Sequence, residues 1–284
     1  MDLTHFLVTI RKAAVPAEPQ VEIFTTPTTQ AIPYRIPAIA TAYDGTVVAV
    51  ADYRYSRVDI GSGRIDLHIR RSHDNGATWD DIMMPEVMRG DGDKTEGHQK
   101  AGYGDPCIVG DSESPRMIIT ACSGTPGFFG GTRTHHQGWA RWYSDDNGAT
   151  WSEPQYIDEE FIYSKFDKSA YGPIRGWFVG SGKICQSKTT KVGTHYCVGS
   201  SCRQGSNETA NWVLYSDDFG KTWLFLGGCD ESPVPGGDEP KAEELPDGSI
   251  LLSSRCTGGR NFNIFTFSDT RCGQGTWGQV AFSG

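Results

Sequence analysis

No stretch of this chain approaches the roughly 18 consecutive apolar residues that a membrane-crossing helix needs. Its first twenty residues lack the charged-then-apolar order of a secretion signal. Basic residues are in deficit, and a formal net charge of −9 argues against a nucleic-acid or anionic-membrane partner, since both require a basic surface. A locally basic pocket stays open. Eight cysteines among 284 residues are too few for a disulfide scaffold, and none forms a Cys-x-x-Cys pair. Cys197 and Cys202 stand five apart with no matching pair and no histidines at zinc-finger spacing, so buried thiols are expected ahead of disulfides or a metal. Long helical periodicity is also scarce.

What the chain has instead is 35 glycines, 15 prolines and 11% aromatic residues, a composition that suits many short strands joined by tight turns. Residues 6–10 read as a strand and 13–20 as a linker, so residues 1–20 are taken as a separate N-terminal remnant and 21–284 as one β domain. Within that domain the turn signature Ser-x-Asp-x-Gly-x-Thr-Trp occurs three times, at 72–79, 144–151 and 216–223, with a constant interval of 72 residues. A looser fourth copy lies at 268–277. Each copy follows an alternating apolar run, such as 65–69 or 212–215, and precedes another short extended segment, which is the grammar of a hairpin.

Every position of the signature has a physical use. The Asp carboxylate accepts bonds from backbone N–H groups of its own turn, Gly supplies φ > 0, and Trp packs into the sheet. Asp-rich loops with Gly also bind calcium, but an EF-hand would need a Glu at its twelfth position and flanking helices, and neither is present. The signature therefore reads as a turn staple that leaves room for a structural cation. Strand-turn-strand units at such a period are what the blades of a β-propeller give.

These repeats, together with Tyr34-Arg35-Ile36-Pro37 upstream of the first, resemble the Asp boxes and Arg-Ile-Pro signature of the sialidase (neuraminidase) family, specifically the bacterial exo-sialidases, over about residues 30–278. The resemblance implies an all-β, six-bladed β-propeller of the sialidase type, with about four to five blades represented in this chain. It implies a retaining exo-α-sialidase that removes terminal sialic acids from glycoproteins, glycolipids and oligosaccharides. Sialic acid carries a carboxylate on its anomeric carbon, and arginine's planar fork pairs with both oxygens. By resemblance Arg35 is the first arginine of that clamp and Arg255 the second, while Arg54 contacts a ring hydroxyl and Asp105, in Gly104-Asp105-Pro106, faces the sugar's substituents.

The catalytic pair implied is Asp59, as the general acid/base, and Glu239, which polarises a tyrosine nucleophile. Asp52 and Asp66 compete with Asp59, and Glu243 and Glu244 with Glu239, though the interval of 16 residues from Glu239 to Arg255 fits a strand, a turn around 245–249 and a returning strand. Only 29 residues follow Arg255, and they contain no tyrosine. A closed six-bladed ring would need on the order of 100 more. The chain thus reads as truncated before the nucleophile and the third arginine, and as a fragment inactive by itself. The alternative reading is a propeller that binds sialoglycans without cleaving them. No organic cofactor is implied, a monomer is expected, and the substrate class suggests a secreted, periplasmic or cell-surface protein.

Overall fold

A computed structural model describes residues 21–26, 34–57, 59–269 and 273–283. The expected strand at 6–10 and linker at 13–20 lie outside the described residues, as does part of the looser fourth repeat. The rest is all-β. Sheet 1 comprises β1 (Arg35–Thr41), β2 (Val47–Arg54) and β3 (Ile65–Ser72) in antiparallel order. Sheet 2 is built on β4 (Tyr103–Gly110), β5 (Met117–Ser123), β6 (Gly138–Ser144) and β7 (Gln155–Tyr156).

Sheet 3 begins with β8 (Ile174–Val179). The chain then crosses back to place β9 (Gly182–Lys183) parallel to β4. It returns through β10 (Cys185–Gln186), β11 (His195–Arg203), β12 (Thr209–Ser216), β13 (Leu224–Phe225) and β14 (Val234–Pro235). Sheet 4 is the meander β15 (Pro240–Glu244), β16 (Ile250–Cys256), β17 (Gly259–Asp269) and β18 (Gln274–Ser283).

Consecutive sheets pack face to face because both faces of their middle strands are apolar. Val50 and Leu67 of sheet 1 share a core with Ile119 and Trp142 of sheet 2. Trp139 of sheet 2 shares one with Trp177 and Trp212 of sheet 3. Val198 and Val213 of sheet 3 share another with Leu252 and Phe265 of sheet 4. All seven residues of β5 are buried, and that strand reads as a nearly continuous apolar run. Cys107, Cys122, Cys185, Cys197 and Cys202 are buried free thiols in these layers, as the spacing suggested.

The three clear repeats share one pattern of Ser, Asp, Gly and Thr bonds. In each, Ser72, Ser144 or Ser216 donates its hydroxyl to the Asp two residues on, at 2.8 Å. The same Ser oxygen accepts the Gly amide at 2.7–2.9 Å. The Asp also accepts the Thr amide at 2.8 Å and the Thr hydroxyl at 2.6–2.8 Å. The residue between Asp and Gly is left-handed, with φ of 59° at Asn75, 56° at Asn147 and 57° at Phe219. Asn tolerates that region, whereas Phe is strained there. Burial of Phe219 against His195 and Tyr143, under the Arg116 guanidinium, offsets the strain.

Register places the repeats at one end of each sheet. Ser72 lies opposite Val47, the first residue of β2, and Ser144 opposite Met117, the first of β5. The opposite end, where the first strand of a sheet starts and the second finishes, is free to carry other chemistry.

Candidate functional site

All six residues singled out from the sequence lie toward that second end. Arg35 opens β1 opposite Asp52, near the end of β2; Arg54 closes β2, and Asp59 follows in the β2–β3 loop. Asp105 lies in the first turn of β4. Glu239 immediately precedes β15, and Arg255 is the penultimate residue of β16.

Two of these entries into a sheet are built alike. Ile36 precedes Pro37 with φ 49°, and Asp105 precedes Pro106 with φ 54°. The strand pairing shifts register across each, between Arg35 and Ala38 and between Gly104 and Cys107. A left-handed β-branched residue, or any non-Gly residue so placed before proline, is unusual and costs about 1–3 kcal/mol. Such bulges turn side chains out of the alternating pattern at a sheet's rim.

Arg54 is the hub. Its side chain is 3% exposed, and its Nε and Nη2 donate to Asp52 Oδ2 at 3.2 and 2.9 Å. Its Nη1 donates to Asp59 Oδ1 at 2.8 Å. Asp59 also accepts the Ile60 amide at 3.0 Å and has a side chain 80% exposed. A buried cation thus holds an exposed carboxylate at the mouth of the cluster.

Asp105 joins from the next sheet, its amide donating to Asp52 Oδ1 at 3.0 Å. Its carboxyl is pushed up to about 6, chiefly by burial; Arg54 pulls it down, while Asp59 and Glu239 push it up. Asp52 is likewise pushed above the usual carboxylate range by burial and then by Asp105, with Arg54 acting against them. Glu239 therefore lies near enough to Asp105 to be felt by it, so sheets 1, 2 and 4 contribute charge to one region.

On sheet 4, Arg255 Nη1 stands 3.3 Å from Glu239 Oε1 and 3.8 Å from Asp238 Oδ2. Backbone bonds lock this pair, because the Arg255 amide donates to Glu239 O at 3.1 Å and the Asp238 amide to Arg255 O at 2.8 Å. The turn between them closes as expected, with Leu245 and Ser249 paired and Gly248 at φ 83°. Arg35 has no ion pair among the described residues, and no hydrogen bond there links it to Arg255.

The competing carboxylates are occupied differently. Asp66 is buried, receiving Arg64, the Tyr55 hydroxyl and the Gly90 amide. Glu243 pairs with Lys183 at 2.9 Å, and Glu244 caps the amides of Lys188, Thr189 and Thr190. Two residues of this region carried no role in the sequence reading. One is Asp52 as a partner of Arg54, detectable only as an acidic residue two positions away on the same strand face. The other is Lys241, whose ammonium is bonded to the Ser181 carbonyl and lowers Asp105's carboxyl; no local pattern marks it. Among the described residues no group of three His, Cys, Asp or Glu side chains could hold a metal ion, and no helix is long and apolar enough to cross a membrane.

The BNR/Asp-box repeat family model matches residues 142–153, the second repeat with the last residues of the strand before it. Over 233 residues the chain is 28% identical to a sialidase of Paraclostridium sordellii, covering 81% of this chain and 54% of that protein. It is 30% identical over 237 residues to a sialidase of Micromonospora viridifaciens, covering 78% and 32% respectively. The chain is a relative of the bacterial sialidases. It spans about half the length, or less, of these curated sialidases. Solved structures share the fold at lower identity. The Hadza microbial sialidase Hz136 aligns with a TM-score of 0.66 at 21% identity, over 87% of this chain and 46% of that one. The intramolecular trans-sialidase from Ruminococcus gnavus aligns with 0.67 at 17% identity, over 87% and 70%. Sialidase relatives and the Asp-box staples thus agree on an all-β, sialidase-type chain.

Proposed function

We propose that this chain forms the sugar-binding and acid/base portion of a retaining exo-α-sialidase acting on terminal sialic acids of glycoconjugates, on a six-bladed β-propeller of which sheets 1–4 are blades. The observation that carries the reading is the Arg54 hub, which joins Asp52, Asp59 and Asp105 across two sheets at the end opposite the Asp boxes, with the Glu239–Arg255 pair on the same side.

In this reading Arg35 and Arg255 bind the substrate carboxylate, and Arg54 and Asp105 receive the ring's polar substituents. Asp59, exposed at the mouth, gives a proton to the departing glycosidic oxygen and then takes one from water. Glu239 draws the proton from a tyrosine nucleophile; a neutral phenol suits an anionic substrate that would repel a carboxylate. The steps need no organic cofactor, and the substrate class supports a secreted, periplasmic or cell-surface enzyme.

The test is release of product from a fluorogenic sialoside by the full-length protein. Arg35→Ala, Asp59→Ala and Glu239→Ala are each expected to lower kcat/KM by at least about a hundredfold, the scale of losing an acid/base or charge-stabilising group. Wild-type rates in all three would overturn the assignment, and saturable sialoside binding without turnover in the wild type would make the protein a lectin.

A further inference from the structure

The carboxylate most deeply placed in the cluster, Asp52, has no role in the reading above. It is 0% exposed, and its two oxygens are divided between two sheets. Oδ2 takes both the Nε and Nη2 of Arg54, which leaves that fork's Nη1 for Asp59. Oδ1 takes the amide of Asp105, a residue held at φ 54° immediately before a proline. A backbone conformation of this kind persists only where surrounding bonds over-determine it. The approach is close enough to need glycine next door, since a Cβ on Gly104 would stand 3.1 Å from Asp52 Oδ2 and 2.7 Å from Ile60 Cδ1.

We infer that Asp52 is the positioning residue of the site: a buried clamp between sheets 1 and 2 that fixes the direction of the Arg54 guanidinium and the left-handed turn that aims Asp105. Through Arg54 it also sets where Asp59 waits. The inference rests on the sialidase reading for what the positioned groups do, though the clamp itself does not depend on it. Asp52 touches no substrate; its action is transmitted.

Asp52→Asn keeps the shape and one acceptor while removing the charge. In the full-length protein it is expected to lower kcat/KM on a sialoside by about tenfold to a hundredfold, the scale of a charge-assisted bond, with KM rising because the groups displaced are substrate contacts. Arg54→Ala should cause a loss of its own. If Asp52 works through Arg54 and Asp105, adding Asp52→Asn to a variant carrying both Arg54→Ala and Asp105→Ala should cost no more than about a further threefold. A merely structural residue would give losses that multiply and follow the melting temperature. Multiplying losses, or kinetics of Asp52→Asn within about threefold of wild type, overturn the proposal.

Amide hydrogen exchange of Asp105 in the wild-type protein reads the clamp without any variant. Slow exchange is expected, and exchange as fast as the amides of exposed Arg57 and Asp59 refutes it. If the wild type neither binds nor cleaves sialosides, the functional reading fails while the exchange measurement still decides the clamp.

Discussion

Asp218 is the Asp of the third repeat, and its replacement separates the work of the repeats from that of the opposite end of the sheets. Asp218 accepts three bonds, from the Ser216 hydroxyl, the Thr222 amide and the Thr222 hydroxyl, each at 2.8 Å. Hydrogen bonds to a charged group contribute about 1.5–3 kcal/mol when buried. Asp218 is only half-buried and Thr222 is exposed, so both Thr222 donors can turn to water. The larger cost falls on Ser216, which is 2% exposed and holds the Gly220 amide at 2.7 Å. Loosening it also releases strained Phe219 and fully buried Trp223. Asp218→Ala should therefore destabilise the fold by about 1.5–3 kcal/mol, and Asp218→Asn, which retains an acceptor, by about half that.

The two variants differ again with pH. Burial pushes the Asp218 carboxyl up, but the bonds from Thr222 and Ser216 outweigh it and hold the group below the usual carboxylate range. A depressed carboxylate contributes stability that is present above its unfolded value, near pH 4, and is lost as pH falls through the folded value. The gap between wild type and Asp218→Asn should accordingly be open at pH 7 and close below about pH 4. Urea unfolding followed by tryptophan fluorescence at pH 7 and pH 3 measures it, alongside turnover per folded molecule at a temperature where both proteins are folded. Turnover should be unchanged, because the repeat lies at the end of the sheet away from Arg54. A stability loss under about 0.5 kcal/mol, or a large loss of turnover in the folded variant, would refute the division between staple and site.

Other consequences are accessible with the same methods. Trp139 is fully buried between sheets 2 and 3, against Trp177 and Trp223, so Trp139→Ala should cost about 3–5 kcal/mol of unfolding free energy; a cost below about 1 kcal/mol would mean that these sheets do not share a core. His195, 3% exposed, has its imidazole drawn down to about 4, chiefly by burial. Its unfolded counterpart protonates first on acidification, so native stability should fall as pH drops from about 6.5 toward 4, by about 2–3 kcal/mol, and His195→Gln should flatten that slope in urea titrations. An equal slope in the variant would show that the imidazole is free to charge in place.

Much of the architecture is legible because it is local. The Asp-box bonds join residues two to four apart, so the eight-residue signature specifies its own turn, and the constant interval announces a repeated unit. The 245–249 hairpin is legible for the same reason. The looser copy at 268–277 is less so: Trp277 still packs on Phe265 and donates to Leu226 O at 3.1 Å, but its intervening residues lack the staple's spacing.

The site is legible only in part. Arg54 and Asp59 stand five residues apart and pair directly, and Glu239 meets Arg255 through the hairpin that their spacing suggested. The division of Asp52 between Arg54 and Asp105 spans 53 residues and depends on a bulge before Pro106 and a bare Gly104. Asp52 by itself is one acidic residue in an apolar strand, and Lys241 one exposed lysine, until the sheets are stacked.

The sequence by itself determined the strand-turn units and the staples that close them, because those interactions are satisfied within a few residues of chain. Only the tertiary structure decided which face of each sheet is covered, which carboxylates are buried as clamps and which is left at the mouth. Those outcomes follow from desolvation and long-range packing, which no window of sequence contains.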